Sequence, residues 1–288
     1  MLQENKRILD RYLMLCKSKG LTEETVKAFK IDLNLFLRFI GDTHLKEIDH
    51  MLCEDFIFYC QNERANGDQA IARKFTTLNN FFKTIIKKDY VDIKNPFDKL
   101  DKPKTRKKQR DHLTEDEIGR VFNHLEKTKN LRDLAIFSLL FSSGIRLSEL
   151  YRLNKNDLDF NRNRMKVLGK GMKERIAIFD DYAKTNILAY LKTRDDNLDA
   201  LFVSRENNRL AKRSIQTLIK NRIKESGVDK DMCTHHIRHS AAMYYLKNGM
   251  PLNLIQKILG HSTISTTQLY AHNNMEDVED FLNNKDNQ

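Results

Sequence analysis

The 288-residue chain is poor in the residues that interrupt or staple a fold. Only three prolines and ten glycines punctuate it, which leaves long stretches free to be helical. Its four cysteines, Cys16, Cys53, Cys60 and Cys233, are widely spaced and form no Cys-x-x-Cys pair. That excludes a disulfide framework and a cysteine zinc site, and it points to reduced thiols in a cytoplasmic protein. No apolar run approaches the ~20 residues that span a bilayer. The opening residues, Met1 to Lys6, are polar where a secretory leader has an apolar core. Neither a membrane protein nor a secreted one is expected.

What the chain has instead is charge. Lys plus Arg number 51 against 40 Asp plus Glu, a formal net charge of +11. Such a surface suits a polyanion, because each neutralised phosphate releases counterions. An anionic membrane surface would also attract it, so charge alone leaves the partner open. Hydrophobic residues make up 40%, enough to bury a core.

Residues 1–100 read as a bundle of four helices. Leu9, Tyr12, Leu13 and Cys16 recur at helical spacing. Thr22 suits an N-cap ahead of Glu23 and Glu24, and Val26, Phe29, Leu33, Phe36, Leu37 and Ile40 share the face that follows, up to Gly41. Cys53, Phe56, Ile57 and Cys60 mark a third helix. A fourth starts near Ala70 and carries Phe75, Leu78, Phe82, Ile85 and Ile86. It must end before Asn95-Pro96. Residues 101–111, with Pro103 their only apolar residue, cannot pack a core and read as a basic linker, either solvated or laid along a phosphate backbone.

Residues 112–288 form the second domain. Thr114 and Glu117 make a capping box, and an apolar helix runs through Leu134, Ile136, Phe137, Leu139, Leu140 and Phe141. Between residues 164 and 179 the period changes to two. Met165, Val167, Ile176 and Ile178 alternate with polar residues around Gly169-Lys170-Gly171, which predicts a β-hairpin. Pro251 opens a short helix carrying Leu252, Ile255 and Leu259, and Gly260 caps it. The predicted fold is therefore mainly α with a small β-hairpin or sheet in the second domain.

Six groups in this domain can carry chemistry: Arg146, Lys170, His235, Arg238, His261 and Tyr270. Each alone has a bland explanation. An arginine after glycine usually makes a salt bridge, a turn lysine is usually solvated, and a tyrosine among Ser and Thr usually packs. His235 and His239 stand at i and i+4, but His236 occupies the place of the zinc-peptidase glutamate, so no metal site follows. Gly169-Lys170-Gly171 lacks the earlier glycine and the following Ser or Thr of a P-loop.

The combination is far more specific. Gly144-x-Arg146-x-x-Glu149-Leu150, Gly169-Lys170-Gly171-x-Lys173-x-Arg175, His235-x-x-Arg238-His239, Leu259-Gly260-His261 and then Tyr270 resemble the tyrosine recombinases in order and spacing. The run from Leu259 to His272 is most similar to the Xer-like branch. Ala72-Arg73-Lys74-Phe75, Phe81-Phe82 and Asn95-Pro96 resemble that family's SAM-like core-binding domain, so the likeness covers nearly the whole chain. Two departures, Ser143 where threonine is common and Ala241-Ala242-Met243-Tyr244 after His239, touch no catalytic position.

The resemblance implies two domains clamped around double-stranded DNA, and strand exchange through a 3′-phosphotyrosine and a Holliday junction within a homo- or hetero-tetramer. No cofactor and no metal are implied. Tyr270 would be the nucleophile, His235 its proton acceptor and Lys170 the acid for the leaving oxygen. Arg146, Arg238 and His261 would hold the phosphate, and Glu149 would orient a basic partner. Arg73, Lys74, Lys212 and Arg213 are candidate phosphate contacts. The segment from Met275 to Gln288, with Val278, Phe281 and Leu282 on one face, would dock on a neighbouring subunit or on its own domain. A type IB topoisomerase and a non-catalytic DNA-binding regulator are the rival readings. Nothing in the chain specifies the DNA sequence or distinguishes chromosome dimer resolution from integration or inversion.

Overall fold

The computed structural model describes residues 2–105, 111–169 and 174–260. The chain divides into two compact units, Met1–Lys108 and Gln109–Gln288. Among the described residues no helix is long and apolar enough to cross a membrane.

The first unit contains α1 (Gln3–Ser18), α2 (Glu23–Phe39), α3 (His50–Asn62) and α4 (Asp68–Lys87), followed by a 3-10 turn at Pro96–Lys99. Side chains close the orphan N–H groups at two helix starts. The Thr22 hydroxyl accepts from the Thr25 N–H at 3.3 Å, and the Asp49 carboxylate accepts from that of Leu52 at 2.9 Å. The core between the helices is aromatic. Phe36 meets Phe56 edge to face with centroids 5.1 Å apart, and Phe75 meets Phe97 in the same way. Such pairs add about 1 kcal/mol beyond the area they bury. A carboxylate lies in this unit's interior: Asp32 of α2 is 1% exposed and receives Arg73 and Thr77 from α4, with the buried Lys74 ammonium 3.8 Å away. Burial pushes the Asp32 carboxyl up, and the two cations pull against it.

The second unit is built around one buried helix. After α5 (Glu115–Lys127), α6 (Leu131–Ser143) is buried at every residue from Asp133 onward, as an all-round apolar helix must be. Then come α7 (Leu147–Arg152), β1 (Leu158–Asp159), β2 (Arg164–Leu168), β3 (Glu174–Ile178), α8 (Asp181–Leu191), α9 (Lys212–Glu225), α10 (Thr234–Lys247) and α11 (Leu252–Leu259). The three strands form an antiparallel sheet in the order β1-β2-β3. The capping box at Thr114 and Glu117 is present, with bonds of 2.8 and 3.3 Å. Gly260 caps α11 with φ +62°.

The hairpin differs from its sequence pattern in one respect. Met165 and Val167 of β2 face the core, but on β3 it is Ala177 that is buried, while Ile176 and Ile178 are exposed. The register pairs Met165 with Ala177 and Val167 with Arg175. Cross-strand partners share a face, so Arg175 takes an inward position that an apolar residue would ordinarily fill.

Candidate active site

The site begins where α6 stops. Gly144 turns the chain in the left-handed region, at φ +57°. A Cβ there would lie 2.5 Å from Cδ2 of Leu259 on α11, so glycine is needed for conformation and for close approach. Ser143, one of the two departures from the family pattern, is fully buried and donates its hydroxyl to the Leu139 carbonyl at 2.5 Å.

Two residues on, Arg146 stands at the N-cap of α7. Its backbone N–H donates to Glu149 Oε2 at 2.8 Å and its Nη1 to Glu149 Oε1 at 3.1 Å. The Glu149 side chain is fully buried, and a buried carboxylate persists only if cations and donors surround it. Its second cation is Arg175 of β3, whose Nη2 donates to Oε2 at 3.0 Å. The Arg146 side chain is 44% exposed, so one edge of its guanidinium faces outward while Glu149 holds the other.

Helix α10 brings the second arginine. His236 stabilises its start by accepting the Cys233 N–H on Nδ1 at 3.0 Å, which puts the ring proton on Nε2. His235 is exposed in the first turn, and Arg238 follows one turn later on the same side. Arg238 is 3% exposed. Its Nη1 donates to the Gly144 carbonyl and its Nη2 to the Leu259 carbonyl. Ala241 and Ala242, the other departure, are fully buried along the same helix. One guanidinium thereby ties the end of α6 to the end of α11.

Arg146, Glu149, Arg238, Gly144, Leu259 and Gly260 thus belong to one connected cluster, with Arg175 at its centre. Lys170, His261 and Tyr270 lie outside the described residues, as do Val278, Phe281 and Leu282 of the tail and residues 106–110 of the basic segment. The cluster nevertheless reaches Gly260, the residue before His261, and β3, which begins four residues after Lys170 in sequence. Guanidiniums fixed by acceptors in this way are chemically suited to recognising and neutralising a phosphodiester.

The basic residues named from the sequence are placed differently from one another. In the first unit Arg73 is exposed and paired with Asp32, whereas Lys74 is buried against the same carboxylate. In the second, Arg213 is exposed on the first turn of α9, and the Lys212 ammonium sits 5.3 Å from the ring of Tyr151. Arg209, not singled out by sequence, flanks that ring at 5.8 Å and donates to the carbonyls of Tyr151 and Leu153, which end α7. Arg175 stands in the Gly169-to-Arg175 motif without a role of its own, and the alternation of Ile176 and Ile178 put it on the outward phase, so the sequence carried no signal for it.

Comparison with known proteins gives the same grouping. The phage integrase family matches residues 111–277, and the phage integrase SAM-like domain matches residues 8–104. The chain is 32% identical over 277 residues to tyrosine recombinase XerD of Oceanobacillus iheyensis, covering 92% of this chain and 93% of that one. It is 31% identical over 274 residues to tyrosine recombinase XerC of Staphylococcus aureus strain USA300, covering 92% and 91%. Among solved structures, XerA recombinase aligns over 97% of this chain and 98% of its own, with 25% identity and a TM-score of 0.56. XerH bound to a palindromic difH substrate, a post-cleavage complex, aligns over 95% and 83% with 18% identity and a TM-score of 0.76. Two family matches that together span nearly all of its length place this chain in the phage integrase family, among the tyrosine recombinases.

Proposed function

We propose that the chain recombines double-stranded DNA at specific sites by the Xer-like route, in the cytoplasm, as a homo- or hetero-tetramer on its DNA. Residues 1–100 would be the core-binding domain, 101–111 the basic linker and 112–288 the catalytic domain. Tyr270 attacks the scissile phosphate. The Tyr270 oxygen–phosphorus bond forms as the bond to the deoxyribose 5′-oxygen breaks, leaving a 3′-phosphotyrosine and a free 5′-hydroxyl. One ester replaces another, so rejoining needs no external energy source.

The phenol, with an ordinary pKa of about 10, gives its proton to His235. Lys170 protonates the departing oxygen. Arg146, Arg238 and His261 hold the non-bridging oxygens, whose charge grows in the transition state. Glu149 orients Arg146. Arg73, Lys74, Lys212 and Arg213 serve as contacts to the DNA backbone, Lys74 only after leaving Asp32.

The observation that carries this reading is the linkage of Arg146, Glu149 and Arg238 through Gly144, Leu259 and Arg175. The decisive experiment incubates the full chain with nicked suicide duplexes and sequences the DNA that becomes covalently attached. Wild type should trap DNA at one defined phosphate, and Tyr270→Phe should trap none. Relaxation of supercoils without paired sites would favour a type IB topoisomerase instead. Sequence-specific binding with no adduct would favour a non-catalytic regulator.

A further inference from the structure

We propose that Arg175 is a positioning residue that sets the charge available at Arg146 and holds the β2–β3 hairpin against Gly260. The proposal rests on the reading of Arg146 as a phosphate ligand.

Arg175 occupies the inward face of β3, opposite the buried Val167. A guanidinium there is costly unless fully engaged. Its Nη2 meets Glu149 at 3.0 Å and its Nη1 reaches the Ile258 carbonyl at 3.5 Å. Its shaft lies flat on Gly260, where a Cβ would come within 2.6 Å of Nε and 2.9 Å of Cδ. Nε itself is buried and finds no acceptor among the described residues. Packing stability alone would favour an apolar side chain at this point, as at Ala177 two residues on. The arginine is accounted for by what it joins. It touches the partner of Arg146, it touches the residue before His261, and it belongs to the strand that follows Lys170.

Charge gives this arrangement a consequence. Glu149 carries one negative charge and faces two guanidiniums. With both present the trio is net positive, and Arg146 can turn its outer edge to an anion. Without Arg175 the buried carboxylate has Arg146 as its only remaining guanidinium in these contacts, and the pair becomes neutral. Arg146 then holds a phosphate less strongly, although nothing that touches DNA has been removed.

The test measures single-turnover cleavage of a nicked suicide duplex, together with affinity for an uncleaved duplex and thermal melting, in the full chain. Arg175→Ala should slow cleavage on the order of 10²-fold while duplex affinity stays within about threefold, because most of that affinity comes from other phosphate contacts. Arg175→Ala with Glu149→Gln should recover about tenfold of the lost rate, since the carboxylate no longer competes for Arg146. A purely structural role would show no such recovery. Arg175→Lys, which keeps the charge and loses the fork, should fall between wild type and Arg175→Ala and keeps the comparison open should the alanine variant melt early. Unchanged cleavage by Arg175→Ala, or a double variant no faster than the single one, would overturn the proposal and leave the recombinase reading intact. Absence of any adduct from wild type would overturn both.

Discussion

Arg238 donates to the carbonyl oxygen of Gly144, 94 positions earlier in the chain and two residues before Arg146. This bond fixes the spacing between two guanidiniums that belong to different helices. A second donation, to the Leu259 carbonyl, carries the same constraint to the segment that precedes His261. The fork geometry of arginine makes both bonds from one side chain, which a lysine ammonium cannot reproduce across two separate carbonyls.

Arg238→Lys should therefore keep the charge and lose the positioning. Cleavage of a suicide duplex should drop on the order of 10²- to 10³-fold, the range seen when one preorganised donor to a developing anion is lost. Affinity for intact duplex should change little. A rate within tenfold of wild type would show that charge alone suffices at this position.

Gly144→Ala tests the same junction from the other side. An L-residue in the left-handed region costs about 1–2 kcal/mol, and the new methyl would press on Leu259 at 2.5 Å. A total near 2 kcal/mol corresponds to a fall in Tm of about 4–8 °C for a unit of this size. Cleavage should fall by more than that loss of stability explains, because Leu259 also supplies the carbonyl that anchors Arg238. Adding Leu259→Ala should return space without returning that order. A Gly144→Ala protein with unchanged Tm would refute the close-packing argument.

What could be read before the structure was local, and what could not was long-range. The caps at Thr22, at Thr114 with Glu117 and at Gly260 were legible because a helix end is specified by three or four adjacent residues. The hairpin was legible from its alternation, yet the inward residues of β3 are Arg175 and Ala177 rather than Ile176 and Ile178. No rule of alternation contains the reason, which is that Glu149, on a helix before the sheet, is buried and takes a cation from that strand. Lys74 looked like a surface base. Its burial depends on Asp32, which reads as an ordinary polar residue of an amphipathic helix until α2 and α4 pack. Arg146, Arg238 and Glu149 were legible as motif members, but the carbonyl at Gly144 that joins them has no signature in sequence.

The thiols offer a check on burial that is independent of DNA. Cys16, Cys53 and Cys60 are buried in the first unit, and burial pushes all three thiols up, away from the reactive thiolate. Cys233 is half-buried at the start of α10. Iodoacetamide applied to the native protein at neutral pH should modify Cys233 at least tenfold faster than the other three. In denaturant the four should react alike. Peptide mapping by mass spectrometry reads the order directly, and early labelling of Cys53 would contradict the packing described for the helical bundle.

Acid should loosen one loop of the second unit at a defined point. Arg194 grips the Asp196 carboxylate and also donates to the carbonyls of Leu198, Ala200 and Leu201. Its hydrogen bond, aided by the Leu198 N–H, holds the Asp196 carboxyl at about 2, below the ordinary 3.8. A depressed carboxyl contributes stability that is complete above its unfolded value and is lost as pH falls through its folded one. The window here therefore runs from about pH 4 down to about pH 2. Asp196→Asn removes the ion pair at every pH, so the Tm gap between wild type and variant should be constant from pH 7 to pH 5. It should then close between pH 4 and pH 2 as the wild-type carboxylate protonates. No gap at pH 7 would mean that the Arg194 contacts to the backbone, and not the ion pair, hold this loop.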